Sequence, residues 1–299
     1  MPAVSIVIPT YNHAHFLRQA LESALAQTLA DWEAIVVNNF SDDNTVEVVA
    51  SFNDPRIRLV NFRNHGVIAA SRNEGIRLAS GELIAFLDSD DMWHPQKLAR
   101  CVDAIARGFD LVCHGEDWTR EGSPPRKVFY GPATRASYAR LLFNGNCIST
   151  SAVVVRKRSL VRVNGFREEP RFVTAEDYDL WLRLARDGAR IGFVREILGE
   201  YRMHGGNASK ALLRHLEAEL AVVNDHFTAL AAASLVARLR MRRRRALVYY
   251  GAGRGFQAAG NPREAWHWFG RALRESPFIL RLYAAAFLSA VAPMRRLFA

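Results

Sequence analysis

Phe86-Leu87-Asp88-Ser89-Asp90-Asp91-Met92-Trp93 is an apolar run that stops abruptly in three carboxylates within four residues. Like charges set that closely repel one another, so the stretch calls for a cation or for open water. Hard divalent ions such as Mg2+ or Mn2+ take oxygen ligands, and Mg2+ commonly uses one or two carboxylates together with substrate phosphates and water. An Asp-x-Asp at a strand end supplies such a half-site. The competing reading is a solvated Asx turn leading into a helix that begins near Pro95, whose fixed φ suits a first helical turn.

The residues around it place the stretch in a fold. Apolar, β-branched runs of strand length occur at Val4 to Ile8, Ala34 to Val37, Ile57 to Val60, Leu83 to Leu87 and Leu111 to Cys113, and helical patterns separate the first four. Phe16, Ala20, Ala24 and Leu25 share one helical face, as do Leu98, Val102 and Ile105. This alternation predicts a mostly parallel sheet covered on both faces. Ligands of such sheets gather beyond the carboxyl ends of the strands, here after Ile8, Val37 and Leu87.

Each of those ends carries polar groups. Pro9-Thr10-Tyr11-Asn12 offers a backbone, a hydroxyl and an aromatic face on which a planar base could stack, or else forms an ordinary loop capped by Asn12. Asn38-Asn39-Phe40-Ser41-Asp42-Asp43-Asn44 suits a ribose or base edge and equally a helix cap. Ala70-Ser71-Arg72-Asn73-Glu74-Gly75 lies in a helical pattern, and the Arg72 fork fits a diphosphate or a neighbouring carboxylate. In Thr174-Ala175-Glu176-Asp177-Tyr178-Asp179-Leu180-Trp181, acids open a helix whose Leu180, Trp181 and Leu184 face inward. Alone, such acids stabilise the helix dipole by roughly 0.3–1 kcal/mol; with the acidic turn upstream, one of them becomes a candidate general base.

At 299 residues, 49% hydrophobic and 23% charged, the chain has the makeup of a globular protein with room for one large α/β domain and an appendage. No run approaches the roughly 20 apolar residues of a spanning helix, and Met1 to Pro9 lacks the pattern of a signal peptide. Cys101, Cys113 and Cys147 are odd in number and widely spaced, which fits neither a disulfide framework nor a zinc site. A cytoplasmic setting is expected. The net charge of +10 sits in the last third: residues 201–299 hold 16 Lys/Arg against 5 Asp/Glu, leaving 24 against 25 in the first 200.

A second region begins near Leu212, rich in Ala, Leu and Arg and helical in pattern, with a turn at Asn261-Pro262. Tyr249, Gly253, Phe256, Ala265, Phe269, Ala272 and Pro277 have the spacing of one tetratricopeptide-type hairpin, which must pack on other helices. It could serve as a lid or a contact between copies. Six arginines among the eight residues Arg238 to Arg245, with the apolar, basic stretch Phe278 to Phe298, suit adsorption to anionic lipid, against the alternative of a solvated face. Aromatics are not interleaved with the arginines, so nucleic acid is not an expected partner.

Taken in order, VSIVIPTYN, IVVNNFSDDNT, AASRNEGI, FLDSDD and AEDYDLWLRL closely resemble the inverting family 2 glycosyltransferases of bacterial cell-envelope polysaccharide synthesis, over roughly residues 3–207. The resemblance implies a GT-A fold, a Rossmann-like mixed α/β sheet, as a catalytic domain over residues 1–210, with a helical appendage over 211–299. It implies a nucleotide-sugar donor, probed first as a UDP-sugar, a glycan or lipid-linked acceptor, and Mn2+ or Mg2+. Pro9, Thr10, Tyr11 and Asn12 would hold base and ribose beside Asn38 and Asn39, with Arg72 near the diphosphate. Asp88 and Ser89 would contact ribose and metal, Asp90 would be the direct ligand with Asp91 as helper, and His204 in the closing segment Tyr201-Arg202-Met203-His204 would approach the metal or diphosphate. Asp177 matches the general base. This sequence departs from the family pattern where Asn38 and Asn39 replace an acidic pair and Phe40 a glycine. Without the Q-x-x-R-W motif and spanning helices of the processive synthases, a single transfer is expected. The alternative from another class is a silent nucleotide-sugar-binding or scaffold protein; a sugar-phosphate nucleotidyltransferase would need a Gly-rich phosphate loop after Ile8, where none is present.

Overall fold

A computed structural model of the chain describes residues 2–203, 212–228, 230 and 234–295. In chain order its elements are β1 (Val4–Thr10), α1 (Ala14–Leu25), β2 (Trp32–Asn38), α2 (Thr45–Ser51), β3 (Ile57–Asn61), α3 (Ile68–Leu78), β4 (Leu83–Phe86), β5 (Met92–Trp93), α4 (Lys97–Ala106), β6 (Leu111–Arg120), β7 (Ser123–Val128), α5 (Tyr138–Asn144), β8 (Val153–Arg156), α6 (Lys157–Arg162), α7 (Glu176–Arg186), β9 (Ile191–Arg202) and α8 to α11 (Leu212–Thr228, Leu235–Ala258, Pro262–Glu275, Leu280–Arg295). Among the described residues no helix is long and apolar enough to cross a membrane.

The strands form one sheet in the order β3-β2-β1-β4-β8-β6-β9-β5, with β7 on β6. All five expected runs are strands, and β1 to β4 pair in parallel. The second half of the sheet corrects the expectation of a mostly parallel arrangement: β8 runs antiparallel to both β4 and β6, β7 is antiparallel to β6 and β5 to β9, and only β6 and β9 pair in parallel there. Alternation along each strand decides the layers. Ile6, Ile8, Val36, Ala85, Leu87, Val112 and Val154 form a core with Leu17 and Leu21 of α1 and Leu98, Cys101 and Ile105 of α4. On the opposite face a Cβ at Gly75 of α3 would strike the Val7 side chain, so the missing side chain lets helix and strand meet. Each of the fully buried aliphatic side chains contributes roughly 1.5–3 kcal/mol.

Two compact units result. One comprises Met1–Leu141, Asn146–Pro170 and Glu176–Asn207; the other comprises Leu142–Gly145, Arg171–Ala175 and Ala208–Ala299. The second unit is helical at its centre. Asn261 caps α10 by accepting from the Glu264 amide, with Pro262 in the first turn, which is the physical basis of the turn read from the sequence. Tyr249, Ala252, Ala265, Phe269 and Ala272 interlock in its core with Leu216, Leu282 and Ala285. A Cβ at Gly253 would collide with the Phe269 ring, so the small residue is what lets α9 and α10 close together. Arg244 departs from the basic run around it: it is buried, donates to the Leu142 carbonyl at 3.0 Å and pairs with Glu219.

Candidate active site

Parallel pairing aligns the carboxyl ends of β1, β2 and β4, with Thr10 opposite Asn38 and Val7 opposite Phe86, so the loops that follow lie along one edge. Short polar bonds stitch these loops together. The Asn12 amide donates to Ser41 Oγ at 2.9 Å, and the Asp42 amide to Asn12 Oδ1 at 2.8 Å. Asp43 Oδ2 receives the Ala14 amide at 2.9 Å at the start of α1. His13 Nδ1 and Ser89 Oγ are 3.1 Å apart, joining the first loop to the acidic turn.

An open cleft of about 600 Å3 lies over the loops after β1 and β2. Tyr11 and Phe40 present aromatic faces to it and are 51% and 47% exposed, and the Arg63 guanidinium sits 4.9 Å over the Phe40 ring. Phe40 has a φ of 53°, a left-handed conformation that a glycine would adopt without strain. Thr10 is buried at the end of β1, and its Oγ1 has no hydrogen-bond partner in the fold. Pro9 is buried within β1. Asn38 Nδ2 donates to Asn61 Oδ1 at 2.8 Å, and its Oδ1 accepts from both the amide and the hydroxyl of Ser41. These bonds fix Asn38, which lines the cleft, within its loop. Asn39 Oδ1 accepts from the Asn64 amide, which leaves its NH2 as the outward donor.

The acidic turn after β4 is built differently. Arg72 of α3 is 3% exposed and bridges two acids, donating to Asp88 Oδ1 at 2.7 Å and to Glu176 Oε1 at 2.6 Å. The fork thus meets the neighbouring carboxylates that its sequence context allowed, and its buried Nε has no hydrogen-bond partner. The two acids hold the guanidinium in its charged form against the opposing effect of burial. Through Arg72 the acidic turn and the start of α7 belong to one site. Asp177, the next residue on α7, is half-buried; its Oδ2 accepts from Thr150 Oγ1 at 3.1 Å.

Asp91 is likewise engaged: Oδ2 accepts from Ser151 Oγ at 2.6 Å and Oδ1 from the Arg202 amide at 3.1 Å. Burial first, and then the neighbouring charges of Asp90 and Glu116, raise its pKa well above the usual carboxylate range. Asp91 therefore ties β9 to the turn. Asp88 and Asp90 are half-buried, and His204 lies outside the described residues. Among the described residues no three His, Cys, Asp or Glu gather as a complete metal cage. A donor set of two carboxylate oxygens fits Mg2+ or Mn2+ held jointly with a diphosphate, and does not fit an all-protein site.

Several of these groups escape a reading of the sequence. Ser151, Thr150, Glu116 and Asp43 act through partners 27 to 63 residues away. The available signal was the run of three hydroxyl residues, Ser149-Thr150-Ser151, directly before β8.

Known proteins share both sequence and fold with this chain. The glucosyltransferase WfgD of Escherichia coli, which uses UDP-Glc and a GlcNAc-diphosphoundecaprenol, is 32% identical over 226 residues, 74% of this chain and 85% of that one. The chain spans only 33% to 36% of some longer relatives. S. aureus TarS residues 1–349, solved in complex with UDP-GlcNAc, has the same fold with a TM-score of 0.59 at 18% identity, covering 91% of this chain and 72% of that one. The mannosyltransferase PcManGT from Pyrobaculum calidifontis, in complex with GDP-Man and Mn2+, gives a TM-score of 0.61 at 18% identity over 97% and 86%. The profile described as Glycosyl transferase family 2 matches residues 5–163. That agreement over more than half of the sequence makes the chain a member of glycosyl transferase family 2, an inverting glycosyltransferase built on the GT-A fold.

Proposed function

We propose that the chain transfers one sugar from a UDP-sugar to a hydroxyl of a lipid-linked or cell-surface glycan. The observation that carries this reading is Arg72, whose two ion pairs join the turn bearing Asp88 to the helix bearing Asp177. An alcohol is a weak nucleophile. Asp177 takes its proton as the oxygen attacks the anomeric carbon from the face opposite the leaving group, which inverts the configuration. The bond from that carbon to the phosphate oxygen breaks, and its electron pair leaves with the nucleoside diphosphate. Asp88 and Asp90 would hold Mg2+ or Mn2+, which neutralises charge on the departing diphosphate. Tyr11, Phe40 and Arg63 would flank the base, with Thr10, Asn12 and Asn39 toward base and ribose and Ser89 toward the ribose; Pro9 and Asn38 would hold the shape of this pocket. WfgD's UDP-Glc donor and diphosphoundecaprenol-linked acceptor support the choice of substrate classes.

The test is release of UDP from a panel of UDP-, GDP- and dTDP-sugars by the purified full chain with Mn2+ and a polyprenyl-diphosphate-linked sugar. Turnover with UDP-sugars is expected. Turnover with another nucleotide alone would overturn the donor, and affinity without any turnover would favour the silent binding protein.

The lipid-linked acceptor would bring the chain to a membrane, and the second unit has a face suited to one. Val236, Leu239 and Phe278 are 59%, 56% and 90% exposed and border a groove of about 580 Å3 shared with Arg240, Arg243 and Arg274. A second copy would set these arginines against their own equivalents, whereas an anionic bilayer complements them. Co-sedimentation with phosphatidylglycerol vesicles and not with phosphatidylcholine vesicles is expected, weakened in the double variant Arg240→Gln/Arg243→Gln. Equal binding to both vesicle types, or dimerisation through this face, would overturn it.

A further inference from the structure

The three hydroxyl residues before β8 each donate to a different carboxylate. Ser149 Oγ donates to Glu116 Oε1 at 3.2 Å, Thr150 Oγ1 to Asp177 Oδ2 at 3.1 Å, and Ser151 Oγ to Asp91 Oδ2 at 2.6 Å. The segment itself is held firmly. Thr150 and Ser151 are 8% and 3% exposed, the Val153 amide donates to the Thr150 carbonyl at 3.1 Å, and the Trp93 indole N–H donates to the Ser151 carbonyl at 2.8 Å. Ser151 Oγ also accepts from the Asp88 amide at 3.1 Å. One short segment therefore touches the acidic turn on one side and α7 on the other.

We propose that Ser149-Thr150-Ser151 is a strap that sets Asp177 in register with the acidic turn, with Thr150 as the positioning residue for the Asp177 carboxylate. The proposal rests on the reading of Asp177 as the base. A carboxylate's last torsion is broad and roughly two-fold, so a single hydrogen bond leaves the plane of the group free to swing, and a second one holds it. Here the Tyr178 amide donates to Oδ1 at 2.7 Å while Thr150 takes Oδ2. Arg72 interacts electrostatically with Asp177, and Glu176, its neighbour in the chain, pairs with Arg72. Donation by a neutral hydroxyl favours the ionised carboxylate, the form a base needs.

Thr150→Val keeps the volume and removes the donor, while Thr150→Ser keeps the donor. Thr150→Val is expected to lower kcat about 10-fold or more with the donor KM unchanged, because small misplacement of a reacting group is costly. The acid limb of its pH–rate profile should move to higher pH, and Thr150→Ser should recover most of both. Wild-type kcat and pH profile in Thr150→Val would overturn the strap, as would equal impairment of the two variants. If Thr150→Val fails to fold, Thr150→Ala carries the same comparison against Thr150→Ser. Full activity of Asp177→Asn would instead remove the base reading and the strap with it, whereas a strap failure alone leaves Asp177→Asn inactive.

Discussion

The two ends of the site are held by opposite means. Around the cleft after β1 and β2, Tyr11 and Phe40 are about half exposed, and the loops are tied by side-chain bonds to backbone amides. After β4, ionisable groups are buried at Arg72, Glu176 and Asp91, and each is held by other side chains. Exposed aromatic faces can bind a flat ligand while the fold stands without them. A buried ion network stands only when closed, because removing one member leaves another uncompensated. Groups that bind should thus be separable from stability, and the ion pairs of Arg72 should not.

The largest effect that would sharpen this contrast is on turnover: Asp177→Asn should lower UDP release by about 100-fold or more while the protein stays folded, read by steady-state kinetics. Next comes Arg72→Met, which strands Asp88 and Glu176 and should cost about 3–5 kcal/mol in urea unfolding. A cost below about 1 kcal/mol would erase the distinction between the two ends. Glu116 tests it by pH. Burial pushes its carboxyl up to about 7 from an ordinary 4.5, against hydrogen bonds from Tyr130 and Ser149. The stability tied to its protonated form is complete below pH 4.5 and is lost as pH rises through 7. Glu116→Gln should remove a slope of about 1.4 kcal/mol per pH unit across that window, measured by unfolding at several pH values. The smallest effect belongs to the cleft: Tyr11→Ala should raise the donor KM several-fold and shift unfolding by no more than about 0.5 kcal/mol.

The parallel half of the fold is legible in the sequence because β1, β2 and β4 are buried on both faces and read as mostly apolar runs, broken within β1 and β2 by Ser5 and Glu33. β9 is not, since Gly192, Arg195, Glu196 and Gly199 interrupt it and its place comes from pairing with β6, some 80 residues away. β8 does carry a signal, the β-branched triplet Val153-Val154-Val155, but its antiparallel direction is set by partners on either side. In the site, Asp88, Asp90 and Asp177 stand out because clustered acids demand an explanation. The fate of Arg72 does not, because its Glu176 partner lies 104 residues away. The bond from Asn38 to Asn61 is hidden for the same reason, its partner lying 23 residues away.

Helix α3 carries Arg72 and Gly75 three residues apart, the first gripping acids from two other segments and the second pressed on Val7. A helix fastened in this way has no soft direction of travel, so whatever opens and closes during a catalytic cycle must be sought in the surrounding loops. The amide protons of this turn should accordingly be among the last to exchange with deuterated solvent, at rates that report unfolding of the whole sheet unit rather than breathing near the substrate.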